Sequence, residues 1–176
     1  LLTNAVYDMM VTDKGNLFVA MNKGVAHVEA ASPISFWDKT SGLDGVVEAM
    51  HYYEGRMYVA THQGLFYLNG DKAKKVTGNT DLNTQTWAFT KFTPISKDGT
   101  PQKEQLLVTD NNGVHQITDS TAKIIVKNLT NVYDFYQSKK SPNRIFLMSG
   151  GGLNAMKYEN GKWIVEEYVP NLKDDI

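Results

Sequence analysis

The chain has 176 residues, of which 18 are basic and 19 acidic, a net charge of −1 and no cysteine. The absence of cysteine excludes disulfides and thiol catalysis, and the absence of like-charge blocks predicts no binding to nucleic acid. No apolar run approaches the length of a membrane span, so no membrane insertion is predicted.

One pattern is written four times along the chain. At Glu54–Leu68 a turn, an apolar strand, a second turn ending in glycine and another apolar strand follow one another. A period near 40 residues with about four strands per unit is typical of a propeller. The sequence therefore predicts an all-β fold of β-propeller blades, four repeats of about 40 residues with four antiparallel strands each. The glycines that close the second turn are 40, 49 and 39 residues apart, at Gly24, Gly64, Gly113 and Gly152.

Each repeat is expected to supply four strands in order. The first strands are predicted at Val6–Val11, Val46–Tyr52, Trp87–Phe92 and Val132–Tyr136. The second are predicted at Leu17–Ala20, Met57–Ala60, Leu106–Val108 and Ile145–Met148, and the third at Val25–Val28, Leu65–Leu68, Val114–Ile117 and Leu153–Tyr158. The fourth are predicted at Ile34–Trp37, Ala73–Val76, Lys123–Lys127 and Trp163–Tyr168. The first and second strands are apolar at nearly every position, which predicts burial on both faces.

Turn residues punctuate these strands. Asn69-Gly70 and Asn160-Gly161 predict type I′ hairpins, with Ser32-Pro33 and Asp119-Ser120 in the same role less clearly. The third repeat is longer because of Thr93–Lys103, whose prolines and glycine predict a loop.

The repeats place blades at about 4–43, 44–84, 85–130 and 131–172 within one propeller segment, 1–176. Both termini fall at the start of a first strand, without the interlocked blade of a closed ring. We expect a slice of a larger propeller of about seven blades. A complete four-bladed ring is the alternative.

The repeats resemble a known family. Asp13-x-Gly15-Asn16-Leu17-Phe18-Val19-Ala20 and Met57-Tyr58-Val59-Ala60-Thr61-His62-Gln63-Gly64-Leu65 are similar to the two-component regulator propeller repeat. The second strands carry Phe18, Tyr58, Leu107 and Phe146 where that repeat has tryptophan. The resemblance implies the sensor region of histidine kinases and hybrid regulators, on the periplasmic or extracellular side of a bacterial inner-membrane protein. It also implies no catalytic residues in the propeller.

The resemblance favours a non-enzymatic segment that binds a ligand or a partner, with carbohydrate as one ligand class. The expected partners are a carbohydrate or other small ligand, the remaining blades of the same propeller and a second copy of the chain. The alternatives are a structural propeller of a cell-envelope complex and, less favoured, a lyase or glycosidase, which would need paired carboxylates.

No motif predicts catalysis, a metal or a cofactor. The four histidines lack metal-ligand spacing. Asp110-Asn111-Asn112-Gly113 lacks the spacing of a calcium loop and is explained as a turn. His27 and His115 fall in third strands, and each is predicted to be a packed or edge histidine.

Polar turns define the candidate site. In an antiparallel blade, the approach to strand one and the turn between strands two and three lie at the same face. Amides, hydroxyls and an aromatic ring there would suit a neutral sugar, although turns are polar in any protein. The predicted ligand-binding residues are Lys23, His62, Gln63, Trp87, Asn111 and Asn112. The long loop Thr93–Lys103 is expected at the opposite face.

Two further expectations follow from the repeat. The four turn glycines should have positive φ, and Gly64→Val should then cost about 1–3 kcal/mol. The outer faces of the first and last blades should be bare and apolar, with Phe18, Val19, Phe146 and Met148 as candidates.

Overall fold

A computed structural model describes residues 5–29, 35–78, 82–129 and 131–170, with the side chains of 167–170 excepted. The chain divides into two compact units, Leu1–Phe36 and Trp37–Ile176. The described residues form four sheets, and the one helical element among them is a single 3-10 turn at Lys39–Ser41. The prediction of an all-β fold of propeller-type blades is confirmed.

The first unit holds one three-stranded antiparallel sheet. Its strands, in spatial order, are β1 (Val6–Val11), β2 (Leu17–Met21) and β3 (Gly24–Val28). A fourth strand was predicted at Ile34–Trp37. Ile34 lies outside the described residues, as do Ser32 and Pro33, and the described part of this range is not a strand.

The residues at the end of this range and directly after it are bound through side chains. The side chain of Asp38 caps the 3-10 turn, accepting hydrogen bonds from the backbone N–H groups of Thr40 and Ser41 at 2.8 and 3.3 Å. The Trp37 indole donates to the carbonyl of Gly70 at 3.2 Å. Residues 37–41 thus satisfy their polar groups within the second unit, without strand pairing.

The second unit holds three sheets. The second sheet runs β4 (Val47–Tyr53), β5 (Arg56–Thr61), β6 (Gly64–Asn69) and β7 (Lys72–Lys75). The third runs β9 (Thr86–Phe92), β10 (Gln105–Asp110), β11 (Gly113–Thr118) and β12 (Thr121–Lys127). The fourth runs β13 (Val132–Gln137), β14 (Arg144–Ser149), β15 (Gly152–Glu159) and β16 (Lys162–Pro170).

The third sheet gains a fifth strand that the sequence did not predict. β8 (Thr77–Gly78) pairs in parallel with the start of β12, with Thr77 opposite Thr121. A Cβ atom on Gly78 would lie 2.0 Å from the carbonyl oxygen of Ala122, so glycine permits this close approach. The chain leaving the second sheet therefore covers the outer edge of the third.

Side chains of β10 alternate between two cores. Leu106 and Val108 pack with Tyr58 and Leu65 of the second sheet. Leu107 points to the other side, where it packs with the fourth sheet. This alternation is the strand geometry expected for a sheet covered on both faces, and it confirms that prediction for β10.

The first strands depart from the same prediction. In β4, Met50 and Tyr52 are exposed although both are apolar, and every residue of β1 is exposed. Side chains alternate between the two faces of β4. Tyr53 points toward the third sheet and is buried in the core between the two sheets, whereas Met50 and Tyr52 are on the other face.

The hairpin predictions are confirmed in one case and corrected in another. Asn160 and Gly161 have φ values of 50° and 79°, as a type I′ turn requires. Asn69, however, pairs with Lys72, so the central residues of that turn are Gly70 and Asp71. Of these two only Gly70 has positive φ, which is the pattern of a turn with glycine in its first central position.

Candidate functional site

Every first strand carries a β-bulge close to its start. In β4 the extra residue is Glu48, in β13 it is Tyr133, and in β9 it falls within Trp87-Ala88. In the separate first unit, Tyr7 of β1 holds the same place. A bulge bends its strand and redirects a side chain, which is why bulges often lie beside functional sites.

The bulge at Glu48 joins the second sheet to the third. Its Oε1 atom accepts a hydrogen bond from the Gln85 side chain at 3.3 Å and contacts Nε2 of His62. His62 stands in the β5–β6 turn, and Gln85 lies just before β9. A carboxylate, an imidazole and an amide from three separate segments thus meet at a partly exposed position.

An aromatic row continues from this point. The ring of Trp87 lies 6.5 Å from that of His62 and 5.1 Å from that of Tyr133, the latter pair edge to face. The Trp87 indole donates a hydrogen bond to Oδ1 of Asn111 at 3.1 Å, which fixes the ring. Tyr133 remains 44% exposed. The row therefore crosses from the second sheet to the fourth and offers aromatic surface to solvent.

We name this group the bulge cluster. It comprises Glu48, His62, Gln85, Trp87, Asn111 and Tyr133. The structure brings together three of the residues predicted from the sequence, His62, Trp87 and Asn111. Gln63 and Asn112 are exposed neighbours in the same two turns. Lys23 is exposed in the β2–β3 turn of the first unit, and its share in a common site stays a prediction.

Sequence reasoning missed the other three members, Glu48, Gln85 and Tyr133. In the structure Glu48 and Tyr133 share one position, the residue after the first residue of a first strand, which the predicted strand bounds did not give for Glu48. Tyr7, Trp87 and these two residues all stand there. The only sequence signal for Gln85 was its position close to Trp87, in the segment that leads into the first strand of the third repeat.

A buried carboxylate–imidazole contact supports the turn that carries Asn111. Asp110 and His115 are fully buried, with Asp110 Oδ2 3.0 Å from Nε2 of His115. The other oxygen of Asp110 accepts hydrogen bonds from the backbone N–H groups of Asn112 and Gly113 at 2.8 and 2.9 Å. The turn chemistry predicted for Asp110 is confirmed. Of the two third-strand histidines, His115 is packed, and His27 is exposed in an outer strand of its sheet.

The pKa of Asp110 reflects a balance of opposing effects. Burial by itself raises the pKa of this carboxyl. The hydrogen bond and charge of His115, together with the two backbone N–H groups, outweigh burial and hold the pKa below its ordinary value of 3.8. Asp110 is therefore a structural anion, already engaged by its own turn.

The long loop lies at the opposite end of the third sheet, as predicted. β9 begins beside the Asp110 turn and ends at Phe92, which pairs with Gln105 at the start of β10. The loop joins Phe92 to Gln105. Between it and the fourth sheet lies a cavity of about 580 Å³, lined by residues that include Ile95, Asn143 and Tyr158.

The second unit thus consists of propeller-type blades, and a polar and aromatic cluster lies at the starts of their first strands. The sequence matches no protein-family profile and no curated protein. A solved structure, the extracellular domain of a protein named as a hybrid two-component system from B. thetaiotaomicron, matches with a TM-score of 0.61. The identity is 17%, and the match covers 96% of this chain but 23% of that one. The likeness shows a shared fold.

Two features are absent from the described part of the chain. No helix in it has the length and apolar character needed to cross a membrane. Within the same residues, no group of three or more His, Cys, Asp or Glu side chains is placed to hold a metal ion.

Proposed function

We propose that this chain is a non-enzymatic sensor segment of an extracytoplasmic propeller in a two-component regulator, and that it binds its ligand at the bulge cluster. Two findings support the sensor role, the repeat resemblance in the sequence and the shared fold with an extracellular domain of a hybrid two-component system. The extracellular location of that neighbour supports a periplasmic or extracellular location here.

The aromatic row carries the binding proposal. Trp87 and Tyr133 present ring surface beside the amide of Asn111 and the carboxylate of Glu48. Rings that stack on an apolar face and side chains that both donate and accept hydrogen bonds suit a neutral sugar. Carbohydrate is therefore the ligand class that we propose.

The composition of the bulge cluster disfavours glycoside hydrolysis. That reaction uses two carboxyl groups flanking one bond. The cluster contains one carboxylate, Glu48, and it is occupied by Gln85 and His62. Asp110 lies beneath the surface and is held by His115.

Sugar binding should quench or enhance the fluorescence of Trp87. We expect one or more of galactose, arabinose, maltose and cellobiose to bind saturably, and Trp87→Ala to lower the affinity by about tenfold. The measurement is a fluorescence titration, repeated by calorimetry. Trp37→Phe serves as the control, since its indole bonds to Gly70 outside the cluster. Equal affinities for the wild type and Trp87→Ala would contradict the assignment.

We also propose that a further blade of the same propeller covers the outer face of the fourth sheet. Ile145 and Leu147 of β14 point into the core shared with the third sheet and are fully buried. Their alternates, Phe146 and Met148, lie on the other face, where Met148 is 51% exposed. In the third sheet the corresponding Leu107 is fully buried because the fourth sheet covers it.

In the first unit the apolar side chains of β1 and Val25 are exposed, but the two residues named from the sequence are not the bare ones. Val19 is buried and Phe18 is half-buried. On the fourth sheet, Tyr136 and Ile164 are exposed on the same face as Met148.

An exposed apolar sheet face should make the isolated chain self-associate. We expect sedimentation velocity to show a weight-average mass that rises with concentration, and Met148→Lys to reduce that rise. Lys123→Glu, at an exposed position of the third sheet, should leave it unchanged. A monomer that does not change with concentration would contradict the proposed missing neighbour.

A further inference from the structure

The long loop is a rigid hairpin. Ile95 and Pro101 form an isolated β-bridge, and the backbone N–H of Ser96 donates to the carbonyl of Thr100 at 2.9 Å. At the tip, the Asp98 carboxylate accepts hydrogen bonds from the Ser96 hydroxyl and from the Thr100 N–H. These bonds, the one from Ser96 first, lower the pKa of Asp98 to about 2. The loop therefore has a defined shape set by its own bonds.

Asn143 fastens this hairpin to the fourth sheet. Its Oδ1 accepts a hydrogen bond from the backbone N–H of Ile95 at 2.8 Å, and its amide nitrogen donates to the carbonyl of Ile95 at 2.6 Å. The backbone carbonyl of Asn143 in turn accepts from the N–H of Tyr158 at 2.8 Å. One side chain thus fixes the distance between the hairpin and β15.

The space between hairpin and sheet is the cavity of about 580 Å³. That volume is within the range of small-molecule sites. Ile95, Pro142 and Tyr158 supply apolar surface. The ring of Tyr158 is held by edge contacts with Phe92 and Trp163, at 5.8 and 5.1 Å between centroids. A fixed aromatic wall faces a fixed hairpin.

Among the described residues that line the cavity, one basic side chain has no ion-pair partner. Arg144 binds Glu166 through two hydrogen bonds of 2.5 and 2.8 Å, and Lys157 pairs with Glu159 at 3.2 Å. Lys97 lines the cavity from the hairpin and is exposed, and it forms no ion pair within the described residues. A ligand that enters therefore meets the ammonium group of Lys97, which has no ion-pair partner in the described part of the chain, beside apolar and aromatic surface.

We propose that this cavity is a second ligand site, for a small ring-shaped molecule carrying a single carboxylate. Lys97 would bind the carboxylate, Tyr158 and Ile95 would contact the ring, and Asn143 would hold the two walls at their spacing. The site lies at the opposite end of the third sheet from the bulge cluster, and it does not depend on the sugar-binding role proposed there.

Two sources share this ligand chemistry, a sugar acid and an aromatic acid. The chain is titrated with galacturonate and with benzoate, and with their neutral counterparts galactose and benzamide, while amide chemical shifts are followed by NMR. We expect at least one acid to bind saturably with shifts at Lys97 and Tyr158, about tenfold tighter than its neutral counterpart. Tighter binding of galacturonate would assign the site to sugar acids, and tighter binding of benzoate to aromatic acids.

Three variants separate the parts of the proposal. Lys97→Gln keeps a polar hydrogen-bonding side chain but removes the charge, and it should weaken acid binding about 5- to 10-fold while reducing the preference over the neutral counterpart. Asn143→Ala should weaken acid and neutral ligands alike, because it releases a wall and removes no charge. Lys123→Gln, an exposed lysine of the third sheet, is the matched control and should change nothing.

Three results would overturn the proposal. They are the absence of saturable binding by either acid at millimolar concentration, equal affinity for acid and neutral counterpart, and acid binding that Lys97→Gln leaves unchanged. Trp87→Ala should not alter acid binding, so the failure of one site is distinguishable from the failure of the other.

Discussion

Asp110→Asn is expected to lower the free energy of unfolding by about 3 kcal/mol at neutral pH. The carboxylate is fully buried and lies 3.0 Å from Nε2 of His115. It also accepts two backbone hydrogen bonds and one from the Thr84 hydroxyl at 3.2 Å. Asparagine keeps the shape and an acceptor for the turn but removes the charge, so the buried imidazole of His115 loses the carboxylate that it contacts.

The loss of stability caused by Asp110→Asn should depend on pH, and it should be larger at neutral pH than in acid. The pKa of Asp110 in the folded protein is below its ordinary value of 3.8, because His115 and the backbone donors favour the charged form more than burial opposes it. A depressed pKa stabilises the fold above the ordinary value and loses that contribution as the pH falls through the folded-state pKa. The gap between wild type and Asp110→Asn should therefore be full at neutral pH and should narrow below pH 3.8.

Asp119→Asn provides the matched control. Asp119 also pairs with a basic side chain, Arg56, at 2.7 Å, but its side chain is 70% exposed. Exposed ion pairs contribute little, so this substitution should cost less than about 1 kcal/mol. Urea unfolding followed by tryptophan fluorescence measures both variants across pH. Equal losses for the two, or a gap for Asp110→Asn that persists unchanged into acid, would show that the buried charge does not stabilise the fold.

Local signals made the strands predictable. Glycine turns and hairpin dipeptides specify backbone conformations within a few residues, and the predicted strand ranges lie within about two residues of the observed ones at most positions. The failures are non-local. β8 exists because its two residues meet β12, more than forty positions later, and no short-range pattern in Thr77-Gly78 announces that contact.

The location of the candidate site could be predicted from the sequence, but only some of its residues could. The turns at His62 and Asn111 could be assigned to one face from strand order alone. Glu48 and Tyr133 depend on bulges, and a bulge is a property of the pairing between two strands. The cavity beside the long loop was not predicted, because it needs the bonds of Asn143 to Ile95 across 48 positions.

Gly64→Val is expected to destabilise the fold at least as much as Asp110→Asn does, with a loss of about 3 kcal/mol or more in the free energy of unfolding. The sequence alone predicted about 1–3 kcal/mol from backbone strain, and the structure confirms positive φ at all four turn glycines, including 122° at Gly64. The structure also shows a second source of destabilisation, a steric contact. A Cβ atom on residue 64 would lie 2.3 Å from the carbonyl oxygen of Leu82, at a contact between backbone segments.

The turn cannot easily shift to relieve this contact. The carbonyl of Gly64 accepts hydrogen bonds from the hydroxyls of Thr61 and Thr86, both at 3.0 Å, and all three residues are buried. Gly161→Val is the control, because Gly161 also has positive φ but has no atom within 4 Å of a Cβ position. It should cost about 1–2 kcal/mol from strain alone. Thermal and urea unfolding of the two variants isolate the contact with Leu82. If Gly64→Val cost no more than Gly161→Val, the close approach of the two backbone segments would carry no weight, and positive φ alone would account for the glycine in this turn.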